Sequence, residues 1–393
     1  MLEQFRARAA GYDAENVFFD EDLAALKATG YLAAVVPEGL GGSGLSLEEL
    51  VIAQRRLAAH APATALGVNM HLVWVQVARF LHDRASGAGG AGGNLNWVLR
   101  EAVQGEVFAF GISEAGNDAV LMDARSSATP HSDGGYEVTG TKIFTTLSPV
   151  WTRLGVHARC EVPGLDPQLV FGFVRRDRAD NANLISGSIS HPGTWNPLGM
   201  RATQSYTTQL SGVRISEADI AATITPFDGS DPLILAIFSS FSILTAAVYA
   251  GIADRALELA TDAANRVVPQ LGGPDAPRLE DPDTAAKLSD AVLAHRRSLD
   301  VLTLLARDVD ERRSRDDWFL ALAAARNQVT DEARAAVDLA MRLVGARGFQ
   351  ADSELARLYR DVLAGLFHPS SSRALSSTVR GGLVGKAKGP GSH

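Results

Sequence analysis

Cysteine is almost missing from this chain: Cys160 is the single one in 393 residues. One thiol cannot build a disulfide framework within a chain, so a reducing compartment, the cytoplasm, is expected. Cys160 ends the strand-like run that starts at Gly155 and reads as a buried bystander, not a nucleophile. Positive charge is also in the minority. The 37 Lys and Arg against 45 Asp and Glu give a net charge of −8, which argues against nonspecific nucleic-acid binding. Long apolar runs are lacking as well. The best candidate, Leu233 to Tyr249, is interrupted by Ser239, Ser240, Ser242 and Thr245, so no membrane partner is expected. The N-terminus carries Glu3 early and has no apolar stretch of signal-peptide type. No metal-ligand constellation stands out.

What is present is a chain of 46% hydrophobic residues, long enough for two or three domains with sizeable cores. Residues 1–105 read as helical. Leu23, Ala24 and Leu26 mark one helix, a glycine-rich loop runs from Val35 to Gly44, and Ser46 with Glu49 forms a capping box that restarts the helix. A long apolar helix covers Thr64 to Leu81, with His71 read as a packing histidine. The glycine run from Ser86 to Gly93 reads as a linker; with no strand before it and no Lys-Ser/Thr after it, it is not a phosphate loop. Residues 106–225 switch to period two, with turn clusters at 129–135, 162–167 and 177–183, and form a small β domain. Residues 226–385 return to helix. Ala246 to Ala260, Thr284 to Asp308 and Trp318 to Leu343 suggest a four-helix bundle, and the charged run Asp308 to Asp317 is a solvated connection. Residues 386–393 are a tail. The fold class is therefore α+β: helices, a β-barrel-like domain, helices.

Within the β domain two motifs stand out. Phe110-Gly-Ile-Ser-Glu-Ala-Gly-Asn-Asp118 offers short hydroxyls and backbone N–H groups in a loop. Asp133-Gly-Gly-Tyr-Glu-Val-Thr-Gly-Thr-Lys-Ile-Phe-Thr-Thr146 is a hairpin signal, because Asp133, Gly134 and Gly135 tolerate positive φ between strand formers. Further on come Trp195-Asn-Pro-Leu-Gly-Met-Arg-Ala-Thr-Gln-Ser205, then Ala340-Met-Arg-Leu-Val-Gly-Ala-Arg-Gly-Phe349, then Leu358-Tyr-Arg-Asp361. Together with the early Val-Pro-Glu-x-x-Gly-Gly loop, this order resembles the acyl-CoA dehydrogenase superfamily over nearly the whole chain.

The resemblance implies an oxidoreductase with a bound flavin, FAD in most of the family. It puts Phe110, Ile112 and Ser113 on one side of the flavin ring and Phe144 and Thr146 on the other. Phe144 stands where the family often has Trp, and Ser113 where Thr is usual. Arg266 is the implied pyrophosphate ligand across a subunit contact. Arg342 stands in place of the customary Gln of the adenosine side, and Gly345 is an implied cofactor contact where the backbone passes close to the ligand. Asn117 and Arg201 are the implied substrate contacts. A homodimer or homotetramer built on the C-terminal bundle is expected, since Trp318 to Leu343 carries more apolar residues than one face of a helix in a single chain can cover.

The family's catalytic carboxylate is missing from both of its usual positions. After Asp361 the chain runs Val-Leu-Ala-Gly-Leu-Phe-His-Pro, with His368-Pro369 where a Glu is expected, and Phe238-Ser-Ser-Phe-Ser242 holds no acid either. Three readings stay open. The first is α,β-desaturation of an acyl-CoA or other acyl thioester with His368 as the base and an electron-transfer flavoprotein as partner. The second is a two-component monooxygenase using reduced flavin from a flavin reductase and O2. The third is a noncatalytic homologue. Pro369 restricts His368 to extended backbone, so the preceding helix ends before it. Leu366 and Phe367 are expected to anchor that segment in the core, with His368 either at the flavin or capping a carbonyl in a surface turn.

Overall fold

The computed structural model describes residues 1–87, 95–176, 187–269, 274–369, 375–376 and 379–380. The turn expected at 177–183, the tail at 386–393 and the linker from residue 88 onward lie outside the described residues.

The N-terminal region holds α1 (Leu2–Glu15), α2 (Asp20–Ala28), α3 (Leu47–Ala58), α4 (Pro62–Gly87) and α5 (Asn96–Val103). The capping box forms as read: Ser46 Oγ accepts from Glu49 N at 3.1 Å and Glu49 Oε2 accepts from Ser46 N at 2.9 Å. His71 is a core histidine, accepting at Nδ1 from Phe108 N (3.1 Å) while Nε2 meets Leu32 O at 2.8 Å.

Eight strands follow: β1 (Phe108–Gly111), β2 (Ser127–Pro130), β3 (Tyr136–Thr145), β4 (Arg153–Cys160), β5 (Gln168–Arg175), β6 (Ser188–Ser190), β7 (Tyr206–Ile215) and β8 (Ile220–Ile224). They form one sheet in the order β6-β7-β3-β2-β4-β5-β8, with β1 pairing in parallel to β4. The β2–β3 hairpin turns on Gly134 and Gly135, at φ 79° and 70°. Cys160 is buried, as expected.

The C-terminal region is α6 (Pro232–Ala264), α7 (Pro282–Asp310), α8 (Trp318–Val344) and the short α9 (Glu354–Val362), which ends in a 3-10 turn at Leu363–Phe367. α6 is long and apolar enough to cross a membrane, which the serine-interrupted sequence did not suggest, yet 83% of its most apolar window is buried inside the fold. It lies between α8 on one side and α3 and α4 on the other. A Cβ on Gly251 would sit 2.2 Å from Arg55 O, so glycine is what lets α6 and α3 meet. On the other side, α4 reaches the sheet: Trp74 Nε1 donates to Ala109 O at 3.0 Å and its indole fills the space above Gly155. The helical regions and the sheet thus share α4 and α6 as a common spine.

One sequence expectation needs correction here. Leu366 and Phe367 do not anchor the His368 segment in the core; they are 37% and 74% exposed. Much of the apolar surface of α8 is covered within the chain, at Leu322, Val329, Ala333 and Val337, but Phe319 and Leu320 stay exposed, and α7 adds exposed Leu293, Val301 and Leu304.

Candidate active site

The ends of β1 and β3 lie side by side, joined by Ile143 N donating to Ser113 O at 2.9 Å. Between them, the 195–205 segment and the residues after α9 opens a cleft. Its walls are flat and apolar: Phe110, Phe144, Trp195 and Phe241, with Leu66 and Met70 from α4 beneath. Its polar edge is a row of hydroxyls. Ser205 Oγ lies 2.7 Å from Thr146 Oγ1 and 2.8 Å from Thr203 Oγ1, and the Ser113 side chain faces the same space. A planar ring with one polar edge fits such a slot, and flavin is such a ring.

Backbone strain gathers at this cleft. Phe144, Leu147, Met200 and Gln204 all have positive φ, at 55°, 67°, 54° and 44°. Each left-handed non-glycine residue costs on the order of 1 kcal/mol or more, and such residues persist where the surroundings hold them, typically at functional sites. Here the strain turns the Phe144 ring outward, 53% exposed, to meet Trp195 edge-on at 6.3 Å.

A buried ion pair fixes the loop between β1 and β2. Lys142 Nζ donates to Glu114 Oε1 and to His157 O, both at 2.7 Å. Glu114 also accepts from Arg125 N (2.6 Å), Ser126 N (2.9 Å) and Ser126 Oγ (2.5 Å). Burial would raise the Glu114 carboxyl, but Lys142 and these donors hold it down at about 2. Burial drives Lys142 down to about 8 against the pull of Glu114. His157 is held neutral, first by burial and then by the Lys142 ammonium, and its Nε2 meets Val120 O at 2.6 Å.

His368 lines the cleft. Its Nε2 is 2.7 Å from Tyr249 Oη on α6, and its ring meets Phe241 edge-on at 6.1 Å. Burial, then the Arg326 guanidinium, lowers the imidazole to about 3, so it is neutral near pH 7. The surface-turn role is thereby set aside. Tyr249 and Phe241 were not singled out in the sequence. The usable signal was Tyr249 itself, a lone tyrosine in the Ala-rich part of α6, because a buried phenol needs a polar partner. Gly365 lets the chain pass that ring, since a Cβ there would lie 3.0 Å from Tyr249 Cε1.

Of the residues expected at the flavin, the cleft brings together Phe110, Ser113, Phe144 and Thr146 with His368. Ile112 faces the adjoining pocket instead. Asn117 and Arg201 make no contact with the cleft. Asn117 Nδ2 donates to Glu114 Oε2 and Asp123 O, bracing its own loop. Arg201 donates to Asp13 O, Asn196 Oδ1 and Pro197 O, tying the 195–205 segment to α1. Arg266, Arg342 and Gly345 are also away from it in the single chain. Arg266 follows the end of α6, which is one helix with the Ala-rich stretch, and is exposed. Arg342 pairs with Asp338 on the α8 surface. Gly345, at φ 73°, caps α8 facing open space.

Comparison with known proteins matches this geometry to a family. The family model "Acyl-CoA dehydrogenase, N-terminal domain" matches residues 1–84, and "Acyl-CoA dehydrogenase, C-terminal domain" matches residues 232–367. YdbM of Bacillus subtilis (strain 168), whose name assigns it provisionally to the acyl-CoA dehydrogenases, is 28% identical over 95% of this chain and 92% of its own. The L-evernosamine nitrososynthase of a Micromonospora species is 28% identical over 93% of this chain and 84% of its own. Among solved structures, KijD3 in complex with FMN and a dTDP-linked amino keto sugar superposes with a TM-score of 0.79 at 24% identity, over 98% of this chain and 91% of that one. With the two terminal family models in chain order on either side of the sheet that builds the cleft, the chain belongs to the acyl-CoA dehydrogenase superfamily.

Proposed function

We propose that this protein is a flavin-dependent monooxygenase of the acyl-CoA dehydrogenase fold, taking reduced FMN from a separate flavin reductase and using O2 to oxidise a small molecule. One observation carries the reading: no carboxylate lines the cleft among the described residues, and the imidazole that takes its place is neutral with Nε2 already engaged by Tyr249. Desaturation of an acyl thioester needs a base for the α-proton, and a residue held near a pKa of about 3 is a weak one. The monooxygenase reading asks for no such base. The relationship to nitrososynthases supports it. A dehydrogenase with His368 as base, fed by an acyl-CoA and drained by an electron-transfer flavoprotein, fits these residues less well.

When bound, reduced flavin supplies two electrons to O2. The chain's part is to clamp the ring between Phe110, Phe144 and Trp195, to meet its polar edge with Ser113, Thr146 and Ser205, and to present the His368 imidazole in the same cleft. FMN is favoured over FAD because Arg342 stands in the place of the adenosine-side Gln and is engaged by Asp338. Arg266 and Gly345 would contribute only across a contact between copies of the chain, and a homodimer through the bundle is part of the proposal. A cytoplasmic location goes with it.

The test is spectroscopic. Protein loaded with oxidised FMN is titrated anaerobically with a panel of acyl-CoAs, and separately with reduced FMN. Tighter binding of reduced than oxidised FMN, with the flavin band untouched by every acyl-CoA, is expected. Bleaching of the band by any acyl-CoA overturns the reading in favour of a dehydrogenase.

A further inference from the structure

A second pocket opens off the flavin cleft. It shares Phe110, Phe241 and Pro369 with the cleft. Phe110 and Phe241 stack as the partition between the two, with centroids 5.5 Å apart and planes 24° from parallel. Beyond them the walls are again rings and aliphatic chains. Phe238 and Phe319 meet edge-on at 5.0 Å, and Met122 closes the side formed by the β1–β2 loop. The one ionisable group of the lining is the carboxylate of Asp118, exposed at the rim; no Lys, Arg or His lines this pocket among the described residues. Arg360 lines the neighbouring cleft, and with Arg201 and Arg357 it also lines a groove between α1 and α9, but none of the three lines this pocket.

The wall is also built to keep its shape. Val120 lines the pocket at φ 44°, a strained conformation for a β-branched residue. It is held there by the 2.6 Å bond between its carbonyl and His157, which is itself locked against Lys142 and Glu114. A preformed, aromatic-walled pocket selects by shape and ring stacking. Among the described residues a phosphate or carboxylate would meet no counter-ion in this pocket and would face Asp118, and leaving a charge unpaired in such surroundings is costly.

We infer, resting on the flavin reading above, that this pocket holds the substrate and that the substrate is a neutral or cationic aromatic molecule without an anionic handle. That class excludes both a coenzyme A thioester and a nucleotide-linked sugar from this pocket.

Indole serves as the neutral probe, indole-3-carboxylate as its anionic counterpart, and butyryl-CoA as the thioester. Binding to the FMN-loaded protein is followed by calorimetry and by saturation-transfer NMR, with FMN occupancy read separately from flavin absorbance. Saturable binding of indole is expected, with indole-3-carboxylate weaker by about tenfold or more and butyryl-CoA silent. Ala119→Trp, a change on a loop at the pocket wall, abolishes indole binding and leaves FMN occupancy intact. Asp118→Lys reverses the repulsion at the rim, so it narrows the gap between the two indoles by about two- to fivefold. Equal binding of indole and its carboxylate to the wild type, butyryl-CoA binding blocked by Ala119→Trp, or an indole affinity indifferent to Ala119→Trp each overturns the inference. Loss of FMN binding with indole binding retained would count against the flavin reading alone, so the two failures are told apart.

Discussion

The Tyr249 hydroxyl donates its hydrogen to Nε2 of His368, 2.7 Å away. The direction follows from supply and demand. Burial pushes the Tyr249 phenol far above its usual range, so it keeps its proton. No acceptor other than His368 lies within reach of that proton among the described residues, whereas a neutral imidazole has one ring nitrogen that accepts. The proton of the neutral ring is thereby fixed on Nδ1. His368 is built to donate from Nδ1, not to collect a proton at Nε2.

Tyr249→Phe removes that restraint. The expected result is loss of the single Nδ1–H tautomer in 15N-resolved NMR of His368, with FMN occupancy unchanged. Stability falls by about 1–3 kcal/mol, because the Nε2 acceptor is left buried without a donor. His368→Gln, which keeps a donor but no ring, should lose more turnover than Tyr249→Phe on any substrate identified. Equal tautomer populations in wild type and Tyr249→Phe would show that the tyrosine does not set the ring.

Phe144 holds a strained backbone so that its ring can wall the cleft, at φ 55° and 53% exposed. Glycine has no penalty at that φ and little buried contact is lost. Phe144→Gly should therefore leave stability unchanged or raise it by up to about 1 kcal/mol, read as the urea midpoint, while FMN affinity drops by about tenfold. A variant that is less stable and still binds FMN normally would mean that the ring serves the fold, not the cofactor.

Much of this was legible before the structure, for identifiable reasons. The capping box at Ser46 and Glu49 and the hairpin at Gly134 and Gly135 are local rules and formed as read. His71 was read as a core histidine because nothing in its helix offered it a partner; its partners come from Leu32 and Phe108, distant in sequence. The aromatic and hydroxyl wall of the cleft could be carried over position by position from the family pattern. Asn117 and Arg201 could not, because their side chains are consumed by local loop bonds that a motif does not record. The Tyr249–His368 pair spans 119 residues, so only the fold reveals it.

The α7 face carries the expectation about assembly. Leu293, Val301 and Leu304 are 56%, 40% and 47% exposed and share one side of the helix. A second copy of the chain is the occupant proposed above. Leu304→Glu puts a charge at the centre of that stripe and should convert a dimeric species to monomer in sedimentation velocity at micromolar concentration. If Arg266 helps to hold the cofactor from the other copy, FMN affinity falls in the same variant. A wild-type protein that sediments as a monomer removes both expectations.

Acid should weaken the fold through its buried imidazoles, opposed by one carboxyl: burial raises Asp361 to about 6, so its own contribution grows as pH falls. His71 is fully buried and burial lowers its imidazole to about 4, against about 6.5 in an unfolded chain. His157 is depressed by burial and by the Lys142 ammonium. For both, the unfolded state binds a proton that the folded state refuses. Their contribution is fully present above about pH 6.5 and is lost as pH falls from there toward the folded values. Between about pH 7.5 and pH 5 each should remove on the order of 1–2 kcal/mol, seen as a fall in the urea midpoint at constant m-value. Glu114, held at about 2 instead of its usual 4.5, adds its loss only below that range. His71→Gln is expected to be less stable at neutral pH and to show a shallower decline across the same interval. A wild-type midpoint that stays flat from pH 7.5 to 5 would mean that these rings reach solvent and protonate without opening the core.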